Sequence, residues 1–118
     1  MRAVAQTVIA DIHPLNNTGV LTTLRGQFKL TDSEMDAWYA RWVTAGFSAI
    51  EQMIDGGNFC FGSTPSFADL CVVPQVYNAR RFKVDISAFP KIQAVEAHCV
   101  RLPAFIAASP AAQPDAED

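Results

Sequence analysis

A helical repeat in the second quarter of the chain constrains the fold more than any other feature. Apolar or small residues recur there at alternating intervals of four and three, at Met35, Tyr39, Trp42, Gly46, Ala49 and Met53. This spacing places them on one face of a helix that packs nearly parallel to its neighbours. Thr31 and Glu34 precede the repeat with the spacing of a capping box, and two glycines at 56–57 follow it. The pattern predicts one long helix between these signals.

Helical spacing also extends over the segment before this repeat. Its apolar residues fall on one face, at Val4, Val8, Ile9, Ile12 and Leu15. We expect this first helix to bend at Pro14, whose nitrogen cannot donate to the carbonyl of residue 10. After the bend it is predicted to continue to about Gly26.

Three further helices are predicted in the second half of the chain. The third helix opens at Ser66, and its apolar stripe comprises Phe67, Leu70, Cys71 and Tyr77. We expect it to be central and nearly fully buried. Pro90 and Pro103 are suited to begin a fourth and a short fifth helix. Because no segment has the clean alternation of a strand, the prediction is an all-α five-helix bundle over residues 1–110 with an acidic tail at 111–118.

Composition narrows the class of partner. With 118 residues, of which 50% are hydrophobic, the chain forms a single core and leaves apolar surface for a partner. Three of the twelve acidic residues lie in the last four positions, and the other nine balance nine basic residues. A balanced surface favours neither nucleic acid nor an anionic membrane. No transmembrane-length apolar run and no paired cysteine motif occurs, so we expect a cytoplasmic protein with reduced thiols.

Motifs for a complete catalytic centre are absent from the sequence. The two histidines, His13 and His98, lie far apart, and no His, Cys or carboxylate residues cluster at metal-ligand spacing. We therefore predict no metal site. Ser66 and Asp69 have the spacing of a helix cap rather than that of a nucleophile and its base, so we assign them to folding.

Two polar segments are candidates for ligand binding. Residues 13–17 gather polar groups where Pro14 frees backbone groups, and either a solvated kink, which we favour, or a ligand-binding turn explains them. Arg80 and Arg81 end the third helix, where cations complement the helix dipole. Alternatively, Arg81 holds a carboxylate in a cleft, because it shares the face of Tyr77 four residues earlier.

Several motifs resemble one known family. Residues 62–69 (GSTPSFAD) look like the capped central helix of the C-terminal domain of cytosolic glutathione transferases. Residues 70–85 (LCVVPQVYNARRFKVD), 11–17 (DIHPLNN), 46–51 (GFSAIE) and 113–116 (QPDA) resemble the zeta class of that family. The resemblance spans almost the whole chain in order.

The resemblance implies an activity, a coenzyme and roles for individual residues. It implies glutathione-dependent isomerisation of maleylacetoacetate to fumarylacetoacetate in tyrosine degradation, on a small dicarboxylate substrate, in a homodimer. Related enzymes act on maleylpyruvate. Arg81 aligns with the family's substrate-pocket arginine, and His13, Asn17, Thr18 and Gly19 align with positions near glutathione. At position 19 many bacterial relatives carry arginine.

The resemblance also implies a thioredoxin-like N-terminal domain that activates the glutathione thiol. No such segment precedes the first predicted helix in this sequence. We therefore expect the chain to be a substrate-side domain that is inactive, or nearly so, by itself. The alternative is a stand-alone helical interaction module that uses its apolar faces to bind another protein.

Overall fold

The computed structural model describes residues 1–116, and the regular structure in that range is entirely helical. The helices are α1 (Arg2–Gln6), α2 (His13–Asn16), α3 (Thr18–Gly26), α4 (Asp32–Met53), α5 (Phe67–Arg81), α6 (Pro90–Cys99) and α7 (Pro103–Ala108). A π-helical segment, Thr7–Ile12, joins α1 to α2, and a 3₁₀ turn, Pro110–Ala112, follows α7. The predicted all-α fold is confirmed. Glu117 and Asp118 of the predicted acidic tail lie outside the described residues.

The first predicted helix is divided into pieces. The π-helical segment directly precedes α2, where Pro14 cannot donate a backbone hydrogen bond. The chain then leaves the helical conformation at Asn17 (φ −73°, ψ 163°), whose Oδ1 accepts from the N–H of Val20 at 3.0 Å and begins α3. The prediction of a single bent helix to Gly26 was therefore wrong, because a side-chain cap at Asn17 replaces the continuing backbone bonds.

Thr31 and Glu34 form the predicted capping box at the start of α4. The buried face of α4 is rotated relative to the predicted one, however. Val43, which lies outside the predicted repeat, is fully buried, whereas Ala49 within it is exposed. Gly46 faces the π-helical segment, and a Cβ atom there would overlap the side chain of Ile12. This close approach is what brings α2 against α4.

α5 buries a different face from the predicted one. Phe67, Leu70 and Tyr77 are 56%, 56% and 47% exposed. The buried face consists of small and β-branched residues, which allow α5 to pack closely against α1 and α6: Ala68, Val72, Val76 and Ala79. The expectation of a nearly fully buried helix was therefore wrong, because the larger apolar side chains point outward. They form an exposed stripe, Phe67–Leu70–Tyr77.

α6 begins at Pro90 as predicted, and a carboxylate from α4 caps it. The two oxygens of Glu51 accept from the N–H groups of Lys91 at 2.8 Å and Ile92 at 3.0 Å. Two donors that a helix start leaves unpaired are thereby satisfied from a neighbouring helix. Among the helices of residues 1–116, none has the length and apolar character needed to cross a membrane.

Candidate functional site

An open cleft of about 420 Å³ lies where α2 and the start of α3 face α4 and the end of α5. Its lining residues are His13, Asn16, Asn17, Thr18, Gly19, Tyr39, Gln75, Asn78, Arg81 and Phe82. The cleft therefore contains every residue that the sequence predicted to contact a ligand, although these residues come from opposite halves of the chain. One wall is the segment from α2 into α3, and the opposite wall is the end of α5.

Hydrogen bonds to α4 fix the first wall. The indole N–H of Trp38 donates to the carbonyl of Leu15 at 2.9 Å, and Nδ2 of Asn16 donates to the carbonyl of Tyr39 at 3.2 Å. The bond from Trp38 pairs a carbonyl that a continuous helix would have paired within its own backbone, and the bond from Asn16 adds a side-chain link to α4. The wall is consequently held in one position relative to the helix behind it.

The side chain of Asn17 makes two hydrogen bonds within this wall. Its Oδ1 caps α3, and its Nδ2 donates to the carbonyl of Pro14 at 3.1 Å. Thr18 and Gly19, as the first residues of α3, have backbone N–H groups without a partner inside the helix. An anionic group near these two amides is favoured by the helix dipole. The binding capacity of this wall therefore lies in its backbone and in the exposed side chain of His13.

The two consecutive arginines at the end of α5 differ in their contacts. Nη2 of Arg80 bonds to Oε2 of Glu96 on α6 at 3.1 Å. Arg81 has no acceptor in residues 1–116, and its guanidinium lies 5.9 Å from the centre of the Phe82 ring. Arg80 thus holds two helices together, and Arg81 keeps its five N–H groups for a ligand in the cleft.

Sequence reasoning missed two residues in the cleft. Tyr39 had been assigned only to packing, but it is stacked on Phe82 with ring centres 4.0 Å apart and lines the cleft. Gln75 is only 3% exposed, and its Nε2 has no partner in the described part of the chain. Burial raises the pKa of Tyr39, while the Gln75 side chain and the charge of Arg81 oppose that rise. A single amide within the apolar run 70–76 was the signal for Gln75.

The Ser66–Asp69 pair lies at the opposite end of α5, outside the cleft. Asp69 is fully buried, and its carboxylate accepts from the N–H of Cys60, the N–H of Ser66 and the hydroxyl of Ser66, each at 2.7 Å. A carboxylate engaged by three donors has a structural role. Elsewhere in residues 1–116, no three His, Cys, Asp or Glu side chains are grouped so as to hold a metal ion.

The sequence of the chain is similar to those of known proteins. Residues 36–98 match the family model described as the glutathione S-transferase C-terminal domain. The chain is 46% identical to a maleylpyruvate isomerase from a Ralstonia species, over 98% of this chain and 56% of the relative. It therefore spans about half the length of that protein.

Two solved structures have the same helical arrangement. A holo maleylpyruvate isomerase, described as a bacterial glutathione S-transferase of the zeta class, superposes with a TM-score of 0.95 at 47% identity, over 98% of this chain and 57% of the other. A maleylacetoacetate isomerase from Anaeromyxobacter dehalogenans, with bound dicarboxyethyl glutathione and citrate, gives a TM-score of 0.91 at 37% identity, over 98% and 52%.

Proposed function

The chain belongs to the glutathione S-transferase family, as its C-terminal helical domain, and on that premise we propose that it forms the substrate-side wall of a zeta-class, glutathione-dependent cis–trans isomerase. The proposed reaction converts maleylacetoacetate to fumarylacetoacetate in cytoplasmic tyrosine degradation, with maleylpyruvate as the second candidate substrate. The proposed partners are a thioredoxin-like domain and a second copy of the protein.

The arrangement of the cleft carries this proposal. The guanidinium of Arg81, which has no acceptor in residues 1–116, lines the same cleft as the amides of Thr18 and Gly19, which begin a helix. Two separated sites for anions suit two anionic ligands, with a carboxylate of one ligand at each site. A guanidinium binds one carboxylate through two parallel hydrogen bonds, and a helix start binds another through backbone N–H groups. The cleft therefore fits a small dicarboxylate together with an anionic peptide.

The first wall also fits glutathione. When bound, glutathione supplies a thiolate that adds reversibly to the substrate's double bond, so that rotation about that bond becomes possible. A Cβ atom at Gly19 would meet only Oδ1 of Asn17, at 3.2 Å, so the backbone there is open to a carboxylate. His13 supplies a further hydrogen-bonding group beside it. Arg81 fixes the substrate and stabilises negative charge that develops on it.

Substitution of Arg81 tests the proposal in the two-domain protein, by which we mean this chain joined to a thioredoxin-like N-terminal domain. For Arg81→Ala we expect kcat/KM for maleylacetoacetate to fall about 100-fold, or about 3 kcal/mol, with KM for glutathione unchanged within about twofold. Arg80→Ala is the matched control, because its guanidinium is paired with Glu96, and it should keep its activity. Equal losses in the two variants, or a loss of glutathione binding with substrate use intact, would contradict the proposal.

The chain by itself should show almost no turnover with glutathione and maleylacetoacetate, because the proposed thioredoxin-like partner domain is the part that activates the thiol. Turnover comparable to that of a two-domain relative would contradict the substrate-side role.

The exposed Phe67–Leu70–Tyr77 stripe favours a second candidate function, that of a stand-alone interaction module. Purification of the native protein from its source distinguishes the two functions. A stable complex with an unrelated protein, without a thioredoxin-like domain, would favour the module.

A further inference from the structure

We propose that the hydroxyl of Tyr39 donates a hydrogen bond to the substrate beside Arg81, and that Gln75 is the residue that positions this hydroxyl. The inference rests on the proposed isomerase function and adds a specific donor to it. Two observations support the pair, namely how Tyr39 is held and what Gln75 lacks, and the chemistry of the proposed reaction gives a further argument.

Tyr39 is held on two sides. Its carbonyl accepts from Nδ2 of Asn16, which ties it to the wall formed by α2. Its ring stacks on Phe82 with planes 14° apart, which ties it to the end of α5 next to Arg81. Tyr39 thus contacts both walls of the cleft, through its backbone on one side and its ring on the other. A ring held by stacking loses little conformational freedom when its hydroxyl binds a ligand.

The buried position of Gln75 lowers the stability of the fold unless a ligand supplies a hydrogen-bond partner for its side chain. Its side chain is buried in the wall of the cleft, and its Nε2 has no partner among residues 1–116. An unsatisfied buried donor costs about 1–3 kcal/mol. The Gln75 side chain also lies close enough to the Tyr39 phenol to lower its pKa, and so does Arg81. These three groups, from α4 and α5, converge on one part of the cleft.

The proposed reaction is accelerated by a neutral hydrogen-bond donor beside Arg81, in the part of the cleft where the substrate's carbonyl oxygen lies. As a sulfur–carbon bond forms at one alkene carbon of the substrate, the π electron pair of the double bond is displaced toward the conjugated carbonyl oxygen. The pair returns to the double bond when the sulfur–carbon bond breaks. A hydrogen bond to this oxygen lowers the barrier without moving a proton, and one such donor contributes about 10²–10³-fold in kcat. The Tyr39 hydroxyl is suited to this task, because a phenol is protonated at neutral pH and donates one hydrogen bond.

The chain contains two tyrosines, which provide a matched test. In the two-domain protein, Tyr39→Phe keeps the ring stack and removes only the hydroxyl, so we expect kcat to fall at least about tenfold with KM for glutathione unchanged. Tyr77→Phe, at an exposed residue outside this cleft, should keep full activity. An active wild type with an equally active Tyr39→Phe variant would overturn this inference and leave the proposed function intact. A wild type without isomerase activity would overturn both.

Two more measurements separate a donor from a packing residue. Titration of malonate into this chain, followed by calorimetry, should give a Kd several-fold weaker for Tyr39→Phe than for Tyr77→Phe, at equal Tm. Gln75→Met should also lower kcat, and it should lower it little further when combined with Tyr39→Phe, because Gln75 acts through that hydroxyl. Unchanged malonate affinity would overturn the donor role, and multiplicative losses in the double variant would overturn the positioning role.

Discussion

The two ends of α5 differ in how their polar groups are paired. At its start, Asp69 is fully buried, and three donors from Ser66 and Cys60 surround its carboxylate. Between its middle and its other end, Gln75 is nearly as deeply buried as Asp69, but within residues 1–116 its amide nitrogen has no partner and Arg81 has no acceptor. We refer to these regions as the closed end and the open end.

The difference shows that burial alone does not identify a functional residue. A buried polar group that is fully paired within the chain stabilises the fold, because its desolvation is offset by hydrogen bonds. A buried group left unpaired beside a cleft costs stability, and a ligand can supply the missing partner. The closed end therefore holds α5 in place, and the open end retains hydrogen-bonding capacity for a ligand.

Replacement of Asp69 should have the largest effect on stability. Asp69→Ala leaves the N–H groups of Cys60 and Ser66 without an acceptor in a buried site, and we expect a loss of about 4 kcal/mol in the free energy of unfolding. Urea denaturation measures this loss. Asp32→Ala is the control, because its ion pair with Arg25 is exposed on both sides and its loss should change stability little. Equal effects of the two substitutions would show that the closed end is not structural.

The positions of most helices could be predicted from sequence, because their signals are local. Thr31 with Glu34, Pro90 and Pro103 each mark a helix start, and each helix begins within a residue of its signal. The break at Asn17 could not be predicted in the same way, because its cap competes with continued helix on nearly equal terms. Tertiary contacts decide such cases, here through the bond from Trp38 to Leu15.

The buried faces and the open end were harder to predict. The stripe through Phe67 and Tyr77 is apolar, but it is exposed. The smaller side chains of α5 are buried instead, because close packing against α1 and α6 requires small residues. Arg81 was placed in a cleft through the family resemblance. Gln75 and Tyr39 were missed, since an unpaired nitrogen and a ring stacked across two helices are properties of the folded chain.

Asn17 sharpens the comparison, because its side chain is paired within the chain although it lines the same cleft as the open end. Asn17→Ala removes the acceptor for Val20, and we expect a loss of about 1 kcal/mol in the free energy of unfolding. Asn17→Ser keeps a capping oxygen and should restore most of it. In the two-domain protein, glutathione affinity should follow the cap and recover in the serine variant. If Asn17→Ser regains stability but binds glutathione as weakly as Asn17→Ala does, the amide itself contacts glutathione.

Alkaline pH should lower the free energy of unfolding through the buried thiols near the closed end. We expect this effect to be smaller than that of Asp69→Ala or Asn17→Ala. Burial, followed by the negative charge of Asp69, raises the pKa of the Cys60 thiol, and the same causes with Glu96 raise the pKa of Cys99 to about 11. Thiols of the unfolded chain ionise near pH 8.5, so the unfolded state binds fewer protons above that value. Stability should therefore be complete below about pH 8.5 and fall as the pH rises toward 11. Urea denaturation under reducing conditions should show a shallower decline for Cys99→Ala than for the wild type. Parallel declines would mean that Cys99 ionises as freely in the fold as in the unfolded chain, and that the closed end tolerates charge.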